Sequence, residues 1–427
     1  MEIGMSGGEV EVAVIGGGVA GIGAARRLRA AGVDALLVEA RPRLGGRAWT
    51  VAEAGLPLDV GCGWLHSADR NPWAPIAEAQ GRTVDKTPPP WARASAQVGL
   101  PTFDRAAFGQ ALQDFRERAD SVGEEEADRP AAAFLEPRNR WNDLINAVST
   151  YYSGAELDRI SARDLARYDD SGVNWRVVEG YGSVVAAHGA DLPVELECKA
   201  ERIDHRGRRL RVETTRGAIG ADAVIVTLPS NLIAEQPDLF QPALPEKTAA
   251  AAGLPLGLAD KLFLSLAHAE QFEKEGRAFG QASRTATAGY HLRPFGRPMI
   301  EAYFGGALAA ELEQGGQAAF FDFAVGELVG LFGGDFSRRV APLALHCWGR
   351  DPFARGSYSY ALPGKADGRM ALAAPVDDRL FFAGEACSPS DFSTAHGAFL
   401  TGIAAADQAI AALRRAPIAT YQEQLRS

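Results

Sequence analysis

Short apolar runs and a long stretch of helical spacing alternate near the start of the chain. Residues 12–15 are all apolar and predict a buried strand, and residues 35–38 predict a second one. The segment between them is rich in alanine and arginine and has the pattern of a helix. Glu39 follows the second run directly. The pattern therefore predicts a strand, a helix and a second strand, with an acidic residue where that second strand ends.

Three glycines, in the order Gly16-x-Gly18-x-x-Gly21, occupy the turn between the first strand and the helix. The first glycine of such a turn makes it tight, the second lets the backbone approach a pyrophosphate, and the third lets helix pack on strand. The pyrophosphate then lies at a helix N-terminus, which favours anions. Glu39 can accept hydrogen bonds from the adenosine ribose. The alternative is a glycine-rich turn without a ligand, but strand, spacing and acidic residue together favour a dinucleotide.

A basic segment rich in glycine, Arg41-x-Arg43-x-Gly45-Gly46-Arg47, follows the second strand. Guanidinium groups bind phosphate oxygens in bidentate geometry, and glycines let the backbone come close to them. We therefore expect this segment beside the pyrophosphate. The alternative is a solvated basic loop.

Composition is that of an ordinary globular enzyme. With 427 residues and 47% hydrophobic content, the chain can bury a large core in about two domains. Its net charge of -10 argues against broad nucleic-acid binding. The four cysteines are scattered, so we expect free thiols in a reducing compartment and no metal site. We see no targeting signal and no apolar run of about 18 residues, and so expect a cytoplasmic protein that does not enter a membrane.

Three further motifs follow the glycine-rich segment. The first is Gly61-Cys62-Gly63-Trp64-Leu65-His66-Ser67, the second is Val-Ile-Val-Thr-Leu-Pro at 224–229, and the third comprises Phe-Ala-Gly-Glu-Ala at 382–386 and Thr-Ala-His-Gly-Ala from position 394. In this order, across nearly the whole chain, they resemble the FAD-dependent amine oxidases. That family includes monoamine oxidases, polyamine oxidases and flavin-dependent histone lysine demethylases.

The resemblance implies an α/β fold, with a Rossmann-like FAD-binding domain assembled from discontinuous segments and an inserted α+β substrate-binding domain. We assign 1–86, 176–260 and 346–427 to the FAD-binding domain, and 87–175 and 261–345 to the substrate-binding domain.

Periodicity gives some detail of the inserted segments. Strand-like runs at 262–266 and 299–304 precede helical runs at 307–312 and 320–331. Three consecutive glutamates at 124–126 predict either an acidic approach that attracts cationic amines or a solvated helix face.

The resemblance also implies how FAD is held. Ser357 stands where monoamine oxidases have a cysteine that bonds covalently to the flavin, and serine cannot form that thioether. We therefore expect non-covalent FAD. The expected cofactor-binding residues are Gly16, Gly18, Gly21, Glu39, Arg41, Gly45, Gly46, Arg47, Gly63, Trp64, Ile203, Trp348, Gly384, Glu385, Thr394 and Ala395.

Four residues are candidates for catalysis. Lys261 is the one cation of an apolar strand, and the matching lysine of the family reaches the flavin N5 through a water; the alternative is an edge-strand lysine whose tip reaches solvent. Tyr358 matches one wall of the family's aromatic cage, with core packing as the alternative. Thr394 replaces the second cage tyrosine of monoamine oxidases, as in polyamine oxidases and histone demethylases. His66 matches a histidine near the substrate channel of polyamine oxidases, with a structural role as the alternative.

The function implied is oxidation of a C–N bond by hydride transfer to flavin N5. The resulting imine hydrolyses to an aldehyde, and O₂ is reduced to H₂O₂. The expected partners are O₂ and a small amine, with a polyamine or alkyl amine favoured. One alternative is oxidation of a non-amine substrate, as in protoporphyrinogen oxidases, and a less favoured one is an FAD-bound scaffold without activity. The oligomeric state is left open.

Overall fold

The computed structural model describes residues 8–93, 100–123 and 127–415, so the glutamates at 124–126 lie outside the described residues. The strands are β1 (Gly8–Ile15), β2 (Ala35–Val38), β3 (Thr50–Glu53), β4 (Leu56–Asp59), β5 (Val84–Asp85), β6 (Arg176–Val177), β7 (Val194–Glu195), β8 (Ala200–Asp204), β9 (Leu210–Thr214), β10 (Gly217–Val226), β11 (Phe240–Gln241), β12 (Ala259–Leu266), β13 (Gly276–Phe279), β14 (Gly289–Leu292), β15 (Met299–Gly305), β16 (Val340–Leu345) and β17 (Leu380–Phe382). The α-helices are α1 (Val19–Ala30), α2 (Trp73–Ala79), α3 (Thr102–Asp120), α4 (Asn142–Ser153), α5 (Ala162–Ala166), α6 (Tyr181–Gly189), α7 (Ser230–Glu235), α8 (Pro245–Ala252), α9 (Gly306–Phe332), α10 (Gly368–Ala373) and α11 (Ala395–Arg415).

The first sheet has eight strands in the order β11-β8-β9-β10-β1-β2-β7, with β17 paired to β10. At its centre β1 runs parallel to both β10 and β2, so that Val14 lies opposite Ile225 and Leu37. Over residues 12–15 both faces of β1 are buried, because the side chains alternate between two hydrophobic cores, as expected for a parallel strand covered on both sides. The predicted strand–helix–strand unit is confirmed.

The second sheet is antiparallel, in the order β13-β14-β15-β12-β16. One of its faces is apolar, with Leu262, Leu264, Ile300 and Ala302 in a core shared with α9. The helical runs predicted at 307–312 and 320–331 form this one helix, which is interrupted at Gly316 by a positive φ of 64°. The period of two along each strand places polar side chains on the opposite face.

Helices α3, α4 and α5 pack together around a fourth core and stand beside the second sheet. A cavity of about 1010 Å³ extends from the turn after β1 to the polar face of the second sheet and to α3. The predicted fold class, an α/β protein with a Rossmann-like domain and an α+β part, is confirmed by this arrangement and by the structural comparison given below. The proposed domain boundaries stay a prediction.

Candidate active site

The three glycines after β1 differ in what surrounds them. Gly16 has a positive φ of 105°, and a Cβ there would lie 2.7 Å from Thr227 Oγ1. A Cβ on Gly21 would lie 1.8 Å from the Gly16 carbonyl oxygen, so helix α1 packs directly on the turn. Gly18 precedes α1 and lines the cavity, and the nearest contact of a Cβ there would be Gly46 Cα at 3.9 Å. The turn therefore packs against protein at Gly21 and faces the cavity at Gly18.

Gly45 and Gly46 continue this open wall, because both have positive φ angles and both line the cavity. The Gly45 N–H donates to the Gly17 carbonyl at 2.9 Å, so the two glycine segments are joined by their backbones. Glu39 ends the wall on the other side: its carboxylate accepts from the Gly17 N–H at 2.7 Å and the Arg41 N–H at 2.8 Å. These segments form a cradle of backbone without side chains, which suits close approach of a pyrophosphate.

The arginines of the cradle are held by carboxylates from distant parts of the chain. Arg41 pairs with Asp351 at 2.5 Å. Arg47 donates to Glu385 Oε1 at 2.8 Å and to the Ser357 carbonyl at 2.8 Å. Burial alone would raise the pKa of Glu385, but Arg47 and further hydrogen bonds outweigh it, so that pKa is lowered. Both guanidinium groups line the cavity with an orientation fixed by these partners.

Lys261 lies on β12, between β15 and β16, and is 8% exposed. The alternative of an edge-strand lysine reaching solvent therefore does not hold. Its ammonium lies 3.1 Å from Glu301 Oε1, and a Cβ on Gly63 would come within 3.3 Å of it. Gly63 thus leaves the space into which the lysine projects, beside Trp64 on the same cavity wall.

Glu301 is the first of a series of charged and polar side chains that contact one another and lead away from Lys261. Glu301 Oε2 lies 3.7 Å from His291 Nδ1, and His291 Nε2 lies 2.6 Å from Glu275 Oε2. Glu275 in turn pairs with Arg176 at 2.8 Å. Burial alone would raise the pKa of Glu301, but Lys261 and His291 lower it to about 2. The lysine is therefore held against a permanent carboxylate.

Tyr358 and Thr394 line the same cavity. The Tyr358 hydroxyl donates to the Tyr151 carbonyl, which fixes the ring, and burial raises its pKa. Thr394 Oγ1 donates to the Asp391 carbonyl at 2.6 Å and accepts from the Gly397 N–H at 3.0 Å. Thr394 thus caps the first turn of α11, and Ala395 begins that helix.

Trp348 and His66 also reach the cavity wall but are tied to protein groups. The Trp348 indole donates to the Val60 carbonyl at 3.0 Å, and the residue is 2% exposed, so most of it packs in the interior. His66 Nδ1 lies 2.6 Å from Asn174 Oδ1. Burial lowers the pKa of His66, so its ring is neutral at neutral pH.

Two predicted cofactor-binding residues do not line the cavity. Gly21 acts through packing, as described above. The side chain of Ile203 is fully buried in a hydrophobic core, and the residue pairs with Val212 and Phe240 in the first sheet. Its side chain does not line the cavity, because a β-strand turns alternate residues to opposite faces, and a role of Ile203 in cofactor binding stays a prediction. Cys198, Lys199 and Ala200 line the cavity instead.

Sequence reasoning missed several residues of the far wall. Tyr303 and His291 lie on strands β15 and β14 and face the cavity, as do Arg277 on β13 and Tyr151 on α4. In the paired strands Tyr303 lies directly opposite Lys261, and His291 lies opposite Glu301. The sequence alone does not show which strands pair, so it could not place these two residues on the cavity wall.

The cavity fits FAD in size and chemistry. Its volume of about 1010 Å³ lies at the upper end of ligand pockets, leaving room for a dinucleotide and a substrate. The glycine cradle, Glu39 and the paired arginines provide the backbone donors and cations that a pyrophosphate and ribose require. Among the described residues, no cluster of three or more side chains has the arrangement of a metal site. Within that same part of the chain, no helix combines the length and apolar character needed to cross a bilayer.

Comparison with known proteins shows the family of this chain. The family model of flavin-containing amine oxidoreductases matches residues 19–90 and 80–410. A probable polyamine oxidase 4 of Arabidopsis thaliana is 29% identical over 92% of this chain and 86% of the relative. Polyamine oxidase 3 of Oryza sativa subsp. japonica is 30% identical over 92% of this chain and 88% of the relative. A double mutant of putrescine oxidase has a TM-score of 0.77 at 17% identity, covering 95% of this chain and all of that chain. This chain therefore belongs to the family of flavin-containing amine oxidoreductases, and its cofactor is FAD.

Proposed function

We propose that this enzyme oxidises the C–N bond of an alkyl amine and passes the electrons to O₂, forming H₂O₂. The class of alkyl amines includes the polyamines named for its relatives. The observation that carries the proposal is the Lys261–Glu301 pair, which places one fixed, buried ammonium on the cavity that contains the glycine cradle. Thr394 in place of a second cage tyrosine favours an aliphatic amine over a small aromatic one.

FAD, when bound, supplies the two-electron acceptor for the hydride of the carbon next to the amine nitrogen. The chain's own contribution is positioning and electrostatics. The Lys261 ammonium has three N–H donors, of which Glu301 takes one, and the others can hold a water at the reacting end of the cavity. The aromatic walls at Tyr358 and Tyr303 disfavour the charged ammonium form and so help to supply the neutral amine.

The residues that would hold FAD are proposed from their places on the wall. The cradle at Gly16, Gly18, Gly45 and Gly46 would bind the pyrophosphate, with Glu39 at the ribose. Arg41, Arg47, Gly63, Trp64, Trp348, Gly384, Glu385, Thr394 and Ala395 would line the rest of the cofactor. Ser357 Oγ donates to the Ala259 carbonyl at 2.9 Å and accepts from its N–H at 2.8 Å, which supports a structural role and a dissociable FAD.

We also propose a cytoplasmic enzyme that acts without nucleic acid. All four cysteines are unpaired, which is typical of proteins from reducing compartments. The net charge of -10 supports the absence of nucleic-acid binding.

The test is peroxide release by the FAD-loaded protein with alkyl amines, polyamines, aromatic monoamines and amino acids. We expect peroxide with aliphatic amines and a fall of about 100-fold or more in turnover for Lys261→Met, in line with the loss of an active-site electrostatic group. Lys274→Met is the matched control, because Lys274 is exposed and lies off the cavity. Bound flavin with no peroxide from any amine, or full turnover by Lys261→Met, would contradict the proposal.

A further inference from the structure

Arg277 lies on the cavity-facing side of the second sheet, in one row with residues of the lysine site. On β13 it is directly opposite His291, His291 is opposite Glu301, and Glu301 is opposite Phe263, which is two residues from Lys261 on β12. Residues opposite each other in an antiparallel sheet share a face, so Arg277 projects to the same side as Lys261. Its side chain is half-buried and lines the cavity.

The other charges of this face compensate one another. Lys261 pairs with Glu301, and Arg176 pairs with Glu275. Arg277 differs: no carboxylate of the described chain lies within ion-pair distance of it, and its guanidinium packs at 4.5 Å on the ring of Phe279. Arg277 is therefore a cation without a carboxylate partner on this face, and it lines the cavity.

The surroundings add no negative charge to Arg277. Burial, followed by the like charge of Arg116 on α3, lowers the pKa of Arg277 to about 10. Arg277 thus stays cationic at neutral pH. The hydroxyls of Tyr151 and Tyr303 lie near it, but both are buried phenols whose pKa values are raised, so they are neutral as well. A half-buried cation without a counter-charge is costly unless a ligand supplies the partner.

The acidic residues on the cavity wall either bind other groups or lie on other parts of the wall than Arg277. Asp164 is bound by Arg369, and Glu385 by Arg47. Asp170 accepts from the Gly172 N–H at 3.0 Å, and Glu39 belongs to the cradle. Asp120 lines the cavity from the exposed end of α3, one turn beyond Arg116. A second ammonium on the substrate would meet Arg277 without an adjacent carboxylate.

We infer that Arg277 binds a carboxylate of the substrate, so that the preferred alkyl amine carries an anionic group at the end away from the reacting nitrogen. The inference rests on the proposed amine oxidation. A guanidinium holds a carboxylate by two parallel N–H···O bonds, which fixes the far end of the chain while the amine lies toward Lys261. Arg277 is in this sense a specificity-determining residue, and the chemical class of the substrate is an amino carboxylate with an aliphatic chain.

The test compares matched amines of equal chain length that differ only at the far end: pentylamine, 1,5-diaminopentane and 5-aminopentanoate, with shorter and longer series beside them. The FAD-loaded full chain is assayed for peroxide as wild type, Arg277→Met, Arg277→Lys and the control Arg338→Met. Arg338 is exposed, pairs with Asp335 and lies off the cavity. A second readout is the perturbation of the flavin absorbance by pentanoate, which binds but has no amine to oxidise.

At the best chain length, the wild type should favour the amino carboxylate over the plain amine by about 10- to 100-fold in kcat/KM, the range expected for hydrogen bonds to a charged group. Arg277→Met should lose this preference and the response to pentanoate while retaining turnover of pentylamine, and Arg277→Lys should restore part of both. Arg338→Met should match the wild type.

Two outcomes would overturn the inference while leaving amine oxidation standing: a wild type that prefers the diamine, or an Arg277→Met variant that loses activity equally on all three amines. A protein whose flavin no amine reduces would instead remove the proposed function on which the inference rests.

Discussion

The glycine cradle gives a sharp prediction, because two glycines three positions apart should fail for different reasons when each becomes alanine. Gly18 lies before α1 with φ −75°, a value that alanine adopts without strain, and its added methyl would meet only Gly46 Cα at 3.9 Å. At Gly21 the methyl would lie 1.8 Å from the Gly16 carbonyl oxygen, which is backbone and cannot move aside. Gly18→Ala should thus block the cofactor, whereas Gly21→Ala should damage the fold.

The magnitudes separate the two variants. At Gly18, loss of a favourable N-cap glycine costs about 1 kcal/mol, and reduced freedom of the unfolded chain offsets about 0.4–1 kcal/mol. The free energy of unfolding of the apoprotein should therefore change by less than about 1 kcal/mol. At Gly21, overpacking costs about 1–3 kcal/mol or more. Loss of a hydrogen bond to the pyrophosphate through Gly18→Ala should weaken FAD binding by about 10- to 100-fold.

Urea unfolding with and without FAD measures both effects. FAD at about 100 times the wild-type Kd should stabilise the wild type by about 2.7 kcal/mol. If Gly18→Ala raises the Kd 100-fold, that gain falls to about 0.4 kcal/mol. Wild-type FAD binding by Gly18→Ala, or an apoprotein of Gly18→Ala that loses as much stability as that of Gly21→Ala, would show that the two glycines do not have these separate roles.

Three further predictions concern the site's charges and its aromatic wall. The pKa of Glu301 is lowered from 4.5 to about 2. Its contribution of about 3 kcal/mol to the free energy of unfolding is therefore complete above pH 4.5 and is lost as the pH falls toward 2. Glu301→Gln should flatten this part of the curve of stability against pH. Asp164→Asn should lower the free energy of unfolding by about 3–5 kcal/mol in urea titrations, because Arg369, 1% exposed, would lose its buried counter-charge. Tyr358→Phe should keep kcat/KM for amines within about 5-fold, since the hydroxyl is bound to the Tyr151 carbonyl and the loss is at most one ordinary hydrogen bond of about 1 kcal/mol. Tyr358→Ala should lose the cavity wall and most activity.

Each of these three predictions has an outcome that would contradict it. A Glu301→Gln curve parallel to that of the wild type would show that the carboxylate does not titrate as stated. Asp191→Asn is the control for Asp164→Asn, because Asp191 pairs with Arg26 at the surface; equal losses in both variants would contradict the role of burial. Equal loss of activity in Tyr358→Phe and Tyr358→Ala would assign the effect to the hydroxyl instead of the ring.

Local features of the fold could be predicted from sequence because their causes are local. The apolar run at 12–15, the glycine spacing after it and the acidic residue at position 39 each act within one strand–helix–strand unit. The helix over 306–332 shows the limit of the same approach. Two helical runs were evident, but their union into one helix with a break at Gly316 depends on packing against the second sheet.

Features that depend on pairing over long distances could not be predicted. Arg41 pairs with Asp351, which lies 310 residues further along the chain, and no sequence pattern near either residue indicates the other. The counter-charge of Lys261 lies on a neighbouring strand at Glu301, and the position of Arg277 two strands further on follows only from the register of the sheet. The sequence also does not reveal which face of the strand at Ile203 is turned toward the cavity.

Mixing the FAD-loaded protein with an aliphatic amine in the absence of O₂ shows whether the cavity oxidises amines with electrons passing to bound FAD. The flavin absorbance should bleach, one equivalent of aldehyde should form per flavin, and admitting O₂ should restore the colour with release of H₂O₂. A flavin that stays oxidised with every amine, while another class of reductant bleaches it, would mean that amines are not the substrate.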